Sequence, residues 1–582
     1  MVALSKVDAP RSRIVWSVLE TTAARFPEKI ALQQPSGRGR YRAWTWREYA
    51  DSVRQIAVGL RAIGVAKGEI VALQSETRAE FYLADLAVMT CGAVSAALYT
   101  SVPIEDQART LKACGSRIIF VENETALEAL KRAGVDGAWI LLTGSSPGSK
   151  TLEEIQAAGK SALEADPGAF DRILAEYKAS DLAVLYMTSG ATGEPKIGMV
   201  THSALVSNIE MGPAALPLTS ADSTIAFLPS AHIAQRVVVE LLPILSGACV
   251  WFSESLSRLP IEIRSIRPTF FLAPPRVWER VYASISAEIR KRPAPVKKLF
   301  YVGLGIGSEV ARRRLQSKPV PGWLRISLRF FDTVIFKKIR ERLGGRIRVA
   351  ASGAAPLGKD LAEFYAAIGM PLIEGYGLTE GGIAMFNPLD RPKAGSIGKL
   401  LPGVEARIES DGELLLKTPC MFSGYYNDPE ATTAVLRDGW LATGDIVEKD
   451  GDGYYYVTGR KKELIVSSNG KKIYPARIEA LLKREPLISQ VLLIGDNLPY
   501  VTALLTVSGS PAEAQPAVER AVRETNRELP PFEQIRKFKI LTREFSIEAG
   551  ELTPTMKLRR ARALANHSAE VRELYAGRDL LP

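Results

Sequence analysis

Residues 186–202 read YMTSGATGEPKIGMVTH. Thr188, Ser189, Gly190, Thr192 and Gly193 offer hydroxyl and backbone N–H donors without bulk, and Lys196 adds a positive charge. Together they suit a polyphosphate, since glycine permits both the tight turn and the close approach. A loop of this composition is equally an ordinary flexible connector. The spelling G-x-x-x-x-G-K-[ST] is absent, so nucleotide hydrolysis of the Walker type is not indicated. Four further strings stand downstream: EGYGLTE from Glu374, DGWLATGDI from Asp438, VTGRKKELI from Val457 and GELTPTMKLRR from Gly550. Each, taken singly, reads as a turn or a charged surface patch. No Ser-His-Asp or Cys-His constellation for covalent catalysis accompanies them.

These groups need elements to hold them, and two periodicities supply those elements. Helix-like stretches such as TWREYADSVRQIAVGLRAIG and AEFYLADLAVMTCGA alternate with short apolar runs such as GEIVALQS, RIIFVEN and AWILLTG. The alternation predicts α/β layers with largely parallel strands up to about residue 400. Beyond it, GVEARIESDGELLLKT and GDGYYYVTG read as antiparallel strands with Asp-Gly turns. From about residue 462 a third texture, KKIYPARIEALLKREPLISQVLLIGD and YVTALLTVSGS, reads as a small domain of helices and strands. The expected architecture is therefore α/β. A large N-terminal lobe of layered α/β subdomains plus a β-rich subdomain covers 1–461, and a small α+β C-terminal domain covers 462–582.

At 582 residues the chain exceeds what one core holds, in line with more than one domain. Its composition, 46% hydrophobic and 24% charged, excludes a disordered or fibrous protein. MVALSKVDAPRSR has no apolar core, and VVVELLPILSGACVWF from Val237 is broken by Glu240 and Pro243. Neither a signal peptide nor a membrane span is expected, which places the chain in the cytoplasm or peripherally at the inner face of a membrane. Cys91, Cys114, Cys249 and Cys420 lie far apart without C-x-x-C spacing, so buried free thiols are expected and no Cys/His metal site.

The net charge of +11 is concentrated. Residues 290–346 hold 16 Lys or Arg against Glu309, Asp332 and Glu341, so the rest of the chain sums to about −2. Within this basic insertion, about 285–346, WLRISLRFFDTVIFKKIRERL places Leu324, Leu328, Phe331, Ile335, Ile339 and Leu343 on one helical stripe. Two readings stand side by side. The helix contacts an anionic membrane surface, or it packs on its own domain with a solvated cationic face. Nucleic acid is not expected as a partner, because no binding motif accompanies the charge. The glycines of GLGIGSE lack the strand and acidic residue of a dinucleotide site.

Taken together, in this order and spacing, the loop and the four strings resemble the adenylate-forming enzymes, the superfamily of acyl-CoA synthetases, peptide-synthetase adenylation domains and luciferases. The resemblance runs from about residue 15 to 565. It implies that Thr188 to Lys196 close over the β- and γ-phosphates of ATP, and that Gly353, Ala354 and Ala355 of ASGAAPL line the adenine with Tyr376 against the base. It implies further that Thr379 touches the α-phosphate, Glu380 holds Mg²⁺, Asp445 accepts the ribose hydroxyls and Arg460 reaches ribose or phosphates. Lys557 would lie between the substrate carboxylate and the α-phosphate, neutralising charge during attack. The small domain would be mobile about Lys462, and Gly470 and Lys472 would meet CoA. Lys471 and Lys472 are otherwise a solvated pair.

FLPSAHIAQRVVVELLPIL resembles the family's gate segment, with His232 beside the carboxylate and Arg236 supporting it. FLAPPRVWERVYASI and FSIEAGELTPTMKLRR are most similar to the long-chain fatty acyl-CoA synthetases, so the implied reaction joins a fatty acid to CoA through an acyl-adenylate, with ATP, Mg²⁺ and CoA. Alternatives are delivery of the acyl group to a carrier protein and a non-catalytic fatty-acid or membrane scaffold. The chain departs from the family loop at Ala191, where a threonine is usual, and at Ile197-Gly198, where glycine comes first. Gln235 stands where glutamate is common.

Overall fold

A computed structural model describes residues 13–188, 196–553 and 556–576. Its large lobe is built on sheets whose strands alternate with helices. One sheet runs, in spatial order, Gly424–Tyr425, Lys196–Thr201, Leu182–Thr188, Val94–Ala97, Ile70–Gln74, Ile118–Val121, Ala138–Leu141 and Lys150–Thr151. From Leu182–Thr188 to Lys150–Thr151 every neighbouring pair is parallel, whereas Lys196–Thr201 pairs antiparallel on both sides. Two helices of the large lobe start at caps that the sequence supplies. Thr45 and Glu48 form a reciprocal capping box before Trp46–Ala62, and Thr151 and Glu154 do the same before Leu152–Ala165.

A second sheet orders Phe270–Ala273, Val349–Ser352, Leu372–Leu378, Gly382–Phe386 and Lys399–Leu400. Its first three strands are parallel and its last two fold back as antiparallel hairpins. Beyond residue 400 the strands Glu405–Ile408, Glu413–Lys417, Trp440–Lys449 and Tyr455–Arg460 pair antiparallel, with Asp411-Gly412 and Asp452-Gly453 at the turns. Both glycines have positive φ, 89° and 83°, which these turns require. The C-terminal part centres on Ile488–Ile494, Val501–Val507 and Ile535–Ile540, backed by Pro475–Leu482 and Pro511–Glu528, over a core of its own.

The basic insertion folds as two packed helices, and here the apolar stripe finds its partner. Ala294–Leu315 meets Gly322–Phe331, which continues through a π-helical turn at Asp332–Phe336 into Lys337–Glu341. Leu324, Phe331, Ile339 and Leu343 are buried, and Leu328 and Ile335 pack against the same cluster as Trp278 and Tyr365. This stripe is therefore a core face, packed on its own domain. The glycines of GLGIGSE serve the same contact. A Cβ on Gly303 would stand 2.6 Å from the Phe331 ring, and one on Gly307 would stand 2.1 Å from the Ala367 carbonyl oxygen. They let the helix approach closely. Cys91, Cys114 and Cys420 are buried free thiols, and Cys249 is half-buried and free.

Candidate active site

The crevice lies where strands of the two α/β sheets end, the place at which open α/β folds hold ligands. Val349–Ser352 leads into Gly353, Ala354 and Ala355, and Ser352 is in register with Glu374 on the adjacent parallel strand. Ala354 adopts φ 69°, a left-handed conformation unusual for a residue with a Cβ. The loop is held by Glu374. Its buried Oε1 accepts from the Leu357 N–H at 3.0 Å, and burial pushes its carboxyl up to about 8.

The strand Leu372–Leu378 carries Tyr376 and delivers Thr379 and Glu380 into the tight turn before Gly382–Phe386. The Tyr376 hydroxyl donates to Asp445 Oδ2 at 2.6 Å. Asp445, nearly fully buried, lies opposite Arg460 across the pair Trp440–Lys449 and Tyr455–Arg460, and Arg460 Nε stands 2.9 Å from its Oδ1. Glu380 Oε1 accepts from the Tyr425 hydroxyl at 2.6 Å, and Lys196 Nζ lies 4.8 Å from the Tyr425 ring centre. The two ends of the glycine-rich loop are thus tied together, because Thr188 pairs with Lys196 in the ladder. Ser189, Gly190, Thr192 and Gly193 lie outside the described residues. Ile197, the departure from the family spelling, is buried with Leu185, Met187 and Cys114, while Gly198 lies against the Thr379 methyl group.

Lys557 comes to this crevice from the C-terminal part. Burial and the nearby Arg460 cation lower its ammonium to about 8, while Asp445, Glu380 and Glu463 oppose that shift. The charge of Lys557 in turn adds to burial in holding His232 down to about 3, so the imidazole is neutral at pH 7. The Ala234 N–H donates to His232 Nδ1 at 3.2 Å. Thus His232, Glu380, Asp445, Arg460 and Lys557 share one electrostatic neighbourhood although five separate segments carry them. Glu380 has the chemistry for Mg²⁺, a hard cation completed by phosphate and water oxygens. Among the described residues no cluster of three or more potential metal ligands exists.

His232 is followed by a π-helix, Gln235–Leu241, an irregularity frequent at functional sites. Behind it Arg236 Nη2 stands 2.6 Å from Asp85 Oδ1, both side chains fully buried, and Ser95 also donates to Asp85. Gln235 Nε2 donates to the Tyr82 hydroxyl at 2.8 Å. Glu240 is buried beside them, and desolvation and the Asp85 charge push its carboxyl well up.

The loop holding Lys557 has its own brace. Thr553 N–H donates to the Lys557 carbonyl at 2.8 Å, and Lys557 N–H to Thr553 Oγ1 at 3.0 Å. At its base the buried Glu551 accepts two bonds from Arg543, at 2.6 and 2.7 Å, and lies 3.1 Å from His567 Nε2. Against the cost of burial, Arg543 and Asn566 hold the Glu551 carboxyl down to about 2.

Lys462 lies in the 3₁₀ turn Lys461–Glu463 directly after Arg460 and is exposed. Gly470, with φ 72°, and Lys472 are exposed on the hairpin Ile465–Val466/Lys472–Ile473. Among the described residues no hydrogen bond or ion pair joins them to the Lys557 neighbourhood. Tyr425, Glu374, Asp85, Glu463 and Glu551 were not singled out from the sequence. Each acts through a partner distant in the chain, and a single sequence carries no signal for that.

Fold and site together define an adenylate-forming enzyme. Residues 19–426 match the AMP-binding enzyme family and residues 462–579 match the AMP-binding enzyme C-terminal domain, and the chain belongs to this family. It is 33% identical, over 91% of its length and 92% of the relative's, to the long-chain-fatty-acid–CoA ligase FadD15 of Mycobacterium tuberculosis. It is 25% identical, over 95% of its length and 90% of the relative's, to the long-chain-fatty-acid–CoA ligase ACSBG2 of Homo sapiens. Among solved structures, the anthranilate CoA ligase AuaEII in complex with anthranoyl-AMP shares the fold, with a TM-score of 0.76 at 20% identity over 97% of this chain and 99% of that one. The adenylation domain of a Mycobacterium chelonae carboxylate reductase does so with a TM-score of 0.74 at 22% identity, over 97% of this chain and 91% of that one.

Proposed function

We propose that the chain activates a long-chain fatty acid with ATP and transfers the acyl group to CoA. In the first half-reaction a carboxylate oxygen of the acid bonds to the α-phosphorus of ATP and the bond to pyrophosphate breaks, leaving an acyl-adenylate. In the second, the CoA thiolate bonds to the acyl carbon and the bond to AMP breaks. Supporting this reading above all is the convergence of Lys557, neutral His232 and Glu380 on one crevice beside the Asp445–Arg460–Tyr376 group. The names of relatives aligned over nearly the whole chain point to the fatty acid and to CoA.

In this mechanism Asp445 accepts the ribose hydroxyls, Arg460 meets ribose or phosphate, and the Gly353 to Ala355 loop with Tyr376 lines the base. Thr379 meets the α-phosphate, and the Thr188 to Lys196 loop closes on the terminal phosphates. Lys557 neutralises the two negative charges that must approach each other, at a place where fixed charges need no reorganisation. Glu380 would hold Mg²⁺, which supplies charge neutralisation to the phosphates. The division falls at residue 461/462, with Lys462 as hinge. Turning there withdraws Lys557 and presents Gly470 and Lys472 to CoA. Long acyl chains partition into bilayers, and the basic segment 290–346 attracts an anionic membrane surface, which makes the chain peripheral to the inner face of a membrane.

The test is AMP formation with CoA across acids from acetate to oleate, comparing wild type with Lys557→Ala. The expected result is thioester and AMP with the longer acids and loss of both in the variant. Pyrophosphate without AMP or thioester from CoA, and AMP release only when a carrier protein is added, would replace CoA as acceptor. Acid binding with no pyrophosphate from any acid would leave a scaffold.

A further inference from the structure

The helix over 322–341 carries two apolar rows, and only one is used by the fold. The inner row packs on the domain. The outer row is Trp323, Ile326, Phe330 and Val334, spaced by three and four residues and therefore on one side of the helix. These side chains are 64%, 72%, 54% and 37% exposed. Of the fourteen large hydrophobic residues exposed among the described residues, eight lie between Val296 and Val334, so this is a concentrated patch and not the scatter that any surface shows.

Its charge context narrows what covers it. Arg325, Arg329, Lys337 and Lys338 are exposed, and no ion pair holds them among the described residues. Nearby Arg340 and Arg342 are by contrast engaged, by Asp332 and Glu288. An exposed row of tryptophan, isoleucine and phenylalanine bordered by unengaged cations is the composition of a helix lying in the plane of an anionic bilayer surface, apolar side down. No helix of the described residues is long and apolar enough to cross a membrane, so contact is lateral.

We infer that the helix over 322–341 docks on anionic lipid by inserting Trp323, Ile326 and Phe330 at the headgroup boundary, with Arg325 and Arg329 on the lipid phosphates. The inference deepens the fatty-acid reading, on which it rests for its purpose, namely collecting an acid that resides in the membrane.

The full-length protein is to be floated with phosphatidylcholine vesicles and with vesicles of three parts phosphatidylcholine to one part phosphatidylglycerol. Binding is expected only to the second and is expected to weaken with salt. Arg325→Glu and Arg329→Glu should each reduce partitioning by at least about fivefold, and the triple variant Trp323→Ser/Ile326→Ser/Phe330→Ser should abolish it. Of the eight tryptophans Trp323 is the exposed one, so quenching by brominated lipid should disappear in Trp323→Phe. AMP release from a water-soluble medium-chain acid should be unchanged in all these variants, which shows that they fold. Equal binding to both vesicles, unchanged flotation of the triple variant, or quenching that survives in Trp323→Phe would overturn the inference. So would lipid-free self-association of the wild type that the triple variant loses, since a second copy would then cover the row. No AMP from any acid, with flotation as described, would overturn the fatty-acid reading and leave the surface standing.

Discussion

Asp445 and Arg460 face each other across one antiparallel pair of strands, and the carboxylate divides its oxygens between Arg460 Nε at 2.9 Å and the Tyr376 hydroxyl at 2.6 Å. A buried carboxylate so held is oriented before any ligand arrives. Asp445→Asn keeps the shape but weakens two charge-assisted bonds, each worth about 1.5–3 kcal/mol. The expected outcome is a rise in KM for ATP of about ten- to hundredfold with folding retained, measured by pyrophosphate release. Tyr376→Phe should show a smaller rise, because Arg460 still orients the carboxylate.

Burial and the Arg460 cation lower the Lys557 ammonium to about 8, and the proposed mechanism uses the cation. Below about 8 it is charged, so kcat/KM for adenylation should be level there and fall about tenfold per pH unit above it. Lys557→Arg, which does not titrate in this range, should lose rate but also lose that alkaline limb. Stability carries the opposite sign. Between about 8 and the ordinary lysine value of 10.5 the unfolded chain binds more protons than the folded one, so stability should rise with pH across this window. Lys557→Met should remove that rise in denaturant titrations.

Glu551 touches no substrate in the proposed mechanism, yet it anchors the loop that ends in Lys557. Glu551→Gln surrenders the double bond to Arg543. Adenylation should slow by about tenfold, the worth of one charge-assisted hydrogen bond. Conversion of a pre-formed acyl-adenylate to thioester should stay within about twofold, because in the proposed mechanism Lys557 has no part in that step. Equal loss in both half-reactions would mark Glu551 as a general support of the small domain.

Much of this architecture is legible along the chain because its signals are local. The alternation of TWREYADSVRQIAVGLRAIG-type and GEIVALQS-type stretches already contains the parallel layers, and the Asp-Gly turns mark where antiparallel strands take over. Tyr376, Asp445 and Lys557 stand within contiguous strings, so their neighbours in sequence point to them. Tyr425 has no such neighbours and Glu374 merely opens the string that holds Tyr376, and the meaning of both comes from what the fold sets against them. The 322–341 helix shows a different limit. Periodicity puts Leu324, Leu328, Phe331, Ile335, Ile339 and Leu343 on one stripe but does not say whether that stripe meets the domain or something outside it. Gly303, which admits the Phe331 ring, decides it, and that pairing exists only after the two helices meet. Gly307 likewise gets its purpose from the fold, which sets the Ala367 carbonyl against it.

The fully buried Arg236–Asp85 pair also constrains how this chain and its descendants diverge. Losing either partner alone strands a charge in the core at a cost of about 3–5 kcal/mol, a large share of what keeps a domain folded. Apolar replacement of both together carries no such penalty. The route from one sequence to the other therefore crosses a barrier that two simultaneous changes avoid, and positions 85 and 236 should vary as a linked pair among folded relatives.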